Sequence, residues 1–98
     1  MSAEPQLLST LTDSHLTLAA TGPWTARHAD ELDRMLAVPP SGQATAQTAD
    51  IDISRVDALD TYGAWLLETT LRQFSSAGRE TRLTGVADRY RYLIDEIH

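Results

Sequence analysis

Four aspartates, Asp50, Asp52, Asp57 and Asp60, lie close together in mid-chain with Ser54 among them. Oxygen ligands at alternate positions are what a calcium loop supplies, and Asp50-x-Asp52-x-Ser54 begins like one. The pattern then breaks. Arg55 stands where the loop needs glycine for its sharp turn, and Thr61 where it needs a bidentate glutamate. Asp50 and Asp52 also alternate with Ile51 and Ile53 as strand residues do. His15, His28 and His98 have no metal-ligand spacing. Cysteine is absent, which excludes disulfides, thiolate chemistry and cysteine zinc sites. There is no Gly-x-Ser-x-Gly elbow, phosphate loop or dinucleotide fingerprint. No metal, no cofactor and no catalytic residue is expected, and the chain does not read as an enzyme.

One hydroxyl is better placed. Thr61 stands where an apolar pattern of helical period starts. Its oxygen can accept a bond from a first-turn N–H, which is ordinary capping. The same position suits a phosphate, because a helix start carries partial positive charge and free N–H groups. Phosphorylation would add about −1.5 to −2 of charge beside Asp57 and Asp60, and any protein seated there would feel it.

The elements around Thr61 follow from periodicity. Residues 6–11 and 15–21 alternate across the turn residues Thr12-Asp13-Ser14, which predicts a hairpin ended by Gly22-Pro23. Thr25 is the expected cap of a first helix carrying Ala29, Leu32 and Leu36, stopped by Pro39-Pro40. Residues 41–48 read as a loop. Ala49, Ile51 and Ile53 form the clearest strand. Its other face is carboxylate, so helices should cover mainly one side of the sheet. A second helix runs from Thr61 to about Ser76, with Gly78 ending it and Ala64, Leu67, Leu71 and Phe74 as its core stripe. Thr81 and Leu83 suggest a short strand. A third helix from Val86 carries Tyr90, Leu93, Ile94 and Ile97. The order is β-β-α-β-α-β-α.

With 98 residues, the chain is expected to form a single domain over 1–98. Net charge is −6, and the eight basic residues are all scattered arginines, which disfavours nucleic acid and anionic membrane surfaces. No segment reads as a signal peptide or a membrane span.

The stretch from Ile51 to Leu67 resembles the signature of STAS domains, the anti-sigma-factor-antagonist and sulfate-transporter family. There a strand ending Asp-Ile/Leu-Ser crosses a short loop to Asp-Ser/Thr-x-Gly at a helix start, as Ile51-Asp52-Ile53-Ser54 and Asp60-Thr61-Tyr62-Gly63 do here. The element order agrees, so the resemblance covers most of the chain. It implies an α/β, STAS-like fold: a mixed sheet of about four strands with helices mainly on one face. The family's phosphorylated antagonists usually carry serine at the Thr61 position, and many members have a further C-terminal element. Threonine there, with Gly63-Ala64-Trp65-Leu66-Leu67, looks more like the STAS domains of Mla-type lipid-asymmetry ABC transporters.

The resemblance implies a non-enzymatic docking or regulatory domain that contacts the ATPase subunit of such a transporter. The expected contact is Asp60, Thr61, Tyr62, Gly63, Trp65, Leu66 and Thr69. Tyr62, Trp65, Leu66 and Thr69 lie opposite the core stripe at about 100° per residue, and Tyr and Trp are enriched among interface anchors. The expected setting is the cytoplasmic face of the plasma membrane, reached only through an attached or associated permease. A chain stopping at His98 within a helical pattern would suit a piece of one. The alternative is an anti-sigma-factor antagonist switched by kinase phosphorylation of Thr61. A small ligand- or nucleotide-binding sensor is a third function to separate from both.

Overall fold

The computed structural model describes residues 4–38, 46–76 and 78–97, excepting the side chain of Ile97. The Pro39-Pro40 stop, His98 and most of the expected loop at 41–48 lie outside them. Strands β1 (Gln6–Thr12), β2 (His15–Trp24), β3 (Thr48–Leu59) and β4 (Glu80–Thr84) form one sheet in that order. β1 and β2 are antiparallel, whereas β2–β3 and β3–β4 are parallel. Helices α1 (Ala29–Leu36), α2 (Thr61–Ser76) and α3 (Asp88–Ile97) cross between or follow the strands.

The β1–β2 turn is made by Asp13 and Ser14, with φ of 49° and 68°. Two successive left-handed residues match the twist of a two-residue hairpin, and Asp tolerates that conformation. Leu16, Leu18 and Ala20 of β2 and Ala49, Ile51 and Ile53 of β3 share one buried face. Leu32 of α1 and Ala64, Leu67 and Phe74 of α2 close over it. Tyr90, Leu93 and Ile94 of α3 pack half-buried against the same cluster. The opposite face keeps the polar members of the alternation, among them Thr17, Asp50, Asp52 and Arg82, none of them buried. The one-sided arrangement implied by alternation in β3 is therefore the arrangement found.

Both central strands run past their expected ends. Gly22-Pro23 does not stop β2, which pairs onward to Trp24 against Leu59. Residues 54–59 form strand rather than loop. Two register shifts allow this, each placing one extra residue on β3. A bulge re-aims the following side chain, so the buried positions after Ile53 are Val56 and Leu59, three apart instead of two. That lost period is why the segment read as a loop. α3 starts at Asp88, two residues later than Val86. β3 starts at Thr48, with Ala46 already buried, so residues 46–48 belong to the body of the fold.

Candidate functional site

β3 delivers the chain to α2 through one residue, Asp60. Its Oδ1 accepts the Gly63 N–H at 2.9 Å, and its backbone carbonyl accepts the Ala64 N–H at 2.9 Å. This is the N-cap geometry, with the side chain bonded to the third helical residue. Asp60 Oδ2 accepts the Ala26 N–H at 2.9 Å, capping the 3-10 turn (Ala26–His28) that leads into α1. The Asp60 N–H donates to the Trp24 carbonyl at 3.4 Å. A single aspartate thus ties the end of β2 to the starts of two helical segments. Both expected caps are corrected by this. Thr25 makes no side-chain cap bond, and Thr61 occupies the first helical position, with the capping role already filled.

Freed of that role, the Thr61 side chain is exposed, and its hydroxyl has no hydrogen bond among the described residues. Trp65 lies one turn on and is 52% exposed. Two of its expected neighbours are placed differently. Leu66 is 8% exposed and belongs to the core. Gly63 is buried, its backbone pressed on the Trp24 carbonyl, so it faces inward and not toward a partner at Thr61. Thr69 is half-buried, and its hydroxyl donates to the Trp65 carbonyl at 2.8 Å.

Tyr62 is intermediate. Its ring packs against the core cluster and sits 6.4 Å from the Trp65 ring, centroid to centroid. Its hydroxyl donates to Asp33 Oδ1 of α1 at 2.9 Å. That bond, then desolvation and the nearby negative charges of Asp33 and Asp30, hold the phenol above its ordinary value of 10.0. Because the folded value is the higher one, the bond's contribution to stability is complete below pH 10.0 and fades as pH climbs through the folded value. Tyr62→Phe should remove the component of the tyrosinate absorbance titration that lies above the ordinary phenol range. Loss of a component that titrates in the ordinary phenol range instead would show that the Tyr62–Asp33 bond does not persist in solution.

The surface that remains is Thr61, Trp65 and the outer edges of Tyr62 and Thr69, bordered on the Tyr62 side by Asp33 and Asp30 of α1. Its chemistry is an apolar ring and a free hydroxyl in an acidic rim.

The other aspartates have separate employment. Asp52 Oδ1 accepts the Ser54 N–H at 2.9 Å. Asp50 lies on the open face between His15 and Arg82, with His15 Nε2 at 3.1 Å and Arg82 Nε at 3.2 Å. His15 Nδ1 also meets Thr48 Oγ1 at 2.6 Å, so the starts of β2, β3 and β4 are cross-linked through side chains. That network was invisible as spacing, because its members lie far apart in the chain; only the strand register joins them. Glu68 was missed as well. It is 6% exposed and accepts from Arg72 Nε at 3.3 Å, one helical turn away.

No protein-family model matches the chain, and no curated protein sequence does. Solved structures do match. An antisigma-factor antagonist STAS domain from Rhodobacter sphaeroides superposes with a TM-score of 0.69 at 21% identity, over 85% of this chain and 88% of that one. The anti-sigma factor antagonist SpoIIAA in its unphosphorylated form gives 0.62 at 15% identity, over 93% and 81%. The structure of SLC26A9 gives 0.69 at 12% identity, over 96% of this chain and 20% of that one. At these identities the likeness is one of fold: the chain has the STAS, or SpoIIAA-like, fold.

Proposed function

We propose that the chain is a non-enzymatic docking module whose contact surface is centred on Thr61 and Trp65. The observation that carries this is the pairing of an uncommitted hydroxyl at the start of α2 with a half-exposed indole one turn away. Capping is done by Asp60 and the core is filled by Leu66 and Leu67, so folding requires neither group to face outward. A large exposed aromatic is what interfaces use as an anchor. The acidic rim calls for a partner that offers an apolar slot flanked by arginine or lysine. The partner we propose is the ATPase subunit of a Mla-type ABC transporter, with this domain at the cytoplasmic face of the membrane. No helix among the described residues is long and apolar enough to cross a membrane, so attachment would come through the transporter.

A second function has its own support. The accessible Thr61 hydroxyl fits phosphorylation by an anti-sigma kinase, and two of the similar structures are anti-sigma-factor antagonists. Co-purification of the tagged protein from its own cells separates the two. Recovery of an ABC ATPase supports the first function; transfer of phosphate to Thr61 from a co-purified kinase supports the second.

Both share one test of the surface. Trp65→Ala should leave the melting temperature within about 2–4 °C, since exposed substitutions usually change stability by under about 0.5 kcal/mol. It should weaken partner capture about tenfold or more. Thr61→Glu should keep the fold, because a negative charge at a helix start is favourable, and should also lose the partner. Undiminished capture by both variants would place the contact elsewhere.

A further inference from the structure

β1 is an edge strand of unusual composition. Among the described residues it pairs with β2 alone. Its seven residues, Gln-Leu-Leu-Ser-Thr-Leu-Thr, carry no charge in a chain of net charge −6. Its ladder runs from Gln6 to Thr12 without a bulge, and Pro5 precedes it without interrupting it. Leu8 is 57% and Leu11 42% exposed. The other edge, β4, has five residues, of which Glu80 and Arg82 are exposed and charged. Charge, proline, bulges and shortness are the usual protections of an edge. β4 has two of them, and β1 has none.

The register determines what β1 can accept. A two-residue turn closes on a hydrogen-bonded pair, here Thr12 with His15, and bonded and unbonded pairs alternate from there. Gln6, Leu8, Thr10 and Thr12 therefore use their backbone groups on β2. Leu7, Ser9 and Leu11 aim theirs outward. We infer that β1 pairs with β1 of a second copy, antiparallel about a two-fold axis at Ser9. This register sets Ser9 against Ser9 and Leu7 against Leu11. It alone matches every outward group of one strand with an outward group of the other, as an isologous contact requires. Leu7, half-buried against the core, would then cover the exposed Leu11 of the other copy on the helix-bearing face.

Charge selects this edge for self-association. An acidic molecule repels its own copy least where a strand carries no charge. The nearest charges are the exposed Glu4 and Asp13. In the Ser9-centred register each comes beside the other residue in the second copy, so salt should strengthen pairing by screening them. One strand pair buries less than the ~1,600 Å² of a standard interface, so a dissociation constant on the order of 10–100 µM is expected. The inference does not depend on what binds at Thr61.

Sedimentation velocity across a concentration series tests it. Wild type should pass from monomer to dimer, and more readily in high salt than in low. Ser9→Pro deletes one outward N–H and leaves the β2 ladder intact, a position where an edge strand accepts proline. It should keep its circular dichroism spectrum and weaken dimerisation at least tenfold. Amide exchange checks the register independently of any variant. At high concentration the amides of Leu7, Ser9 and Leu11 should slow about tenfold, while those of Leu8 and Thr10 stay constant. A monomer at every concentration overturns the inference. So does a dimer indifferent to Ser9→Pro, or one that leaves the odd-numbered amides unprotected.

Discussion

Gly63→Ala is expected to lower the melting temperature by about 10–30 °C, as thermal circular dichroism would show. A β-carbon at Gly63 would lie 1.8 Å from the Trp24 carbonyl oxygen and 2.7 Å from its carbon, with Leu59 Cδ1 at 3.0 Å. Two of those atoms are backbone, so no rotamer change relieves the clash. Trp24 cannot yield easily. Its indole is fully buried, its N–H donates to the Thr21 carbonyl at 3.1 Å, and its own carbonyl takes the Asp60 N–H. Alanine gains about 1 kcal/mol over glycine in helix propensity. Forcing a helix start off a strand end costs more, about 3–5 kcal/mol at the upper end of overpacking. The clash therefore decides the sign, and each kcal/mol corresponds to about 4–8 °C in a domain of this size. A variant melting within a few degrees of wild type would mean that α2 does not start against the end of β2.

Asp60→Ala is the next largest expected loss, about 2–3 kcal/mol by guanidinium unfolding. An N-cap aspartate is worth about 0.5–2 kcal/mol. The bond to Ala26 adds a second, charge-assisted contribution, discounted because water reaches that N–H when the carboxylate is gone. Asp60→Ser should restore the α2 cap yet reach Ala26 poorly, recovering about half of the loss. Asp60→Asn keeps a side-chain acceptor and should fall between serine and wild type. Equal losses for Ala and Ser would mean that the cap contributes nothing. The series also guards the functional test: a capture defect in Asp60→Ala counts as loss of contact only if it persists in Asp60→Asn, where folding is largely preserved.

The fold was legible wherever side-chain periodicity maps directly onto one buried face. Leu16, Leu18 and Ala20, then Ala49, Ile51 and Ile53, alternate and are buried as alternation requires. Ala64, Leu67 and Phe74 keep helical spacing and face the sheet. Legibility failed where backbone irregularity resets the period. The two bulges in β3 turn a period of two into the spacing of Ile53, Val56 and Leu59, and no propensity scale marks that change.

At the candidate site the sequence identified the right turn and the wrong atoms. Asp60 and Thr61 both have side chains able to cap, and the choice between them depends on where the chain stops being strand. That in turn depends on pairing between Leu59 and Trp24, thirty-five positions apart. Leu66 shows the same limit. It lies off the stripe that the helical wheel assigns to the core, yet it is buried, because α2 is covered over a wider arc than one stripe.

The sequence by itself determined the element types, their order, the polar and apolar faces of the sheet and the start of α2 at Thr61. These are local consequences of side-chain period and turn chemistry. Tertiary structure decided which carboxylate caps, which glycine lacks room for a methyl group, that Thr61 is left free beside Trp65, and that β1 offers an uncharged edge. Each of those depends on distances between segments remote in the chain, set by strand register and packing rather than by any residue's own preference.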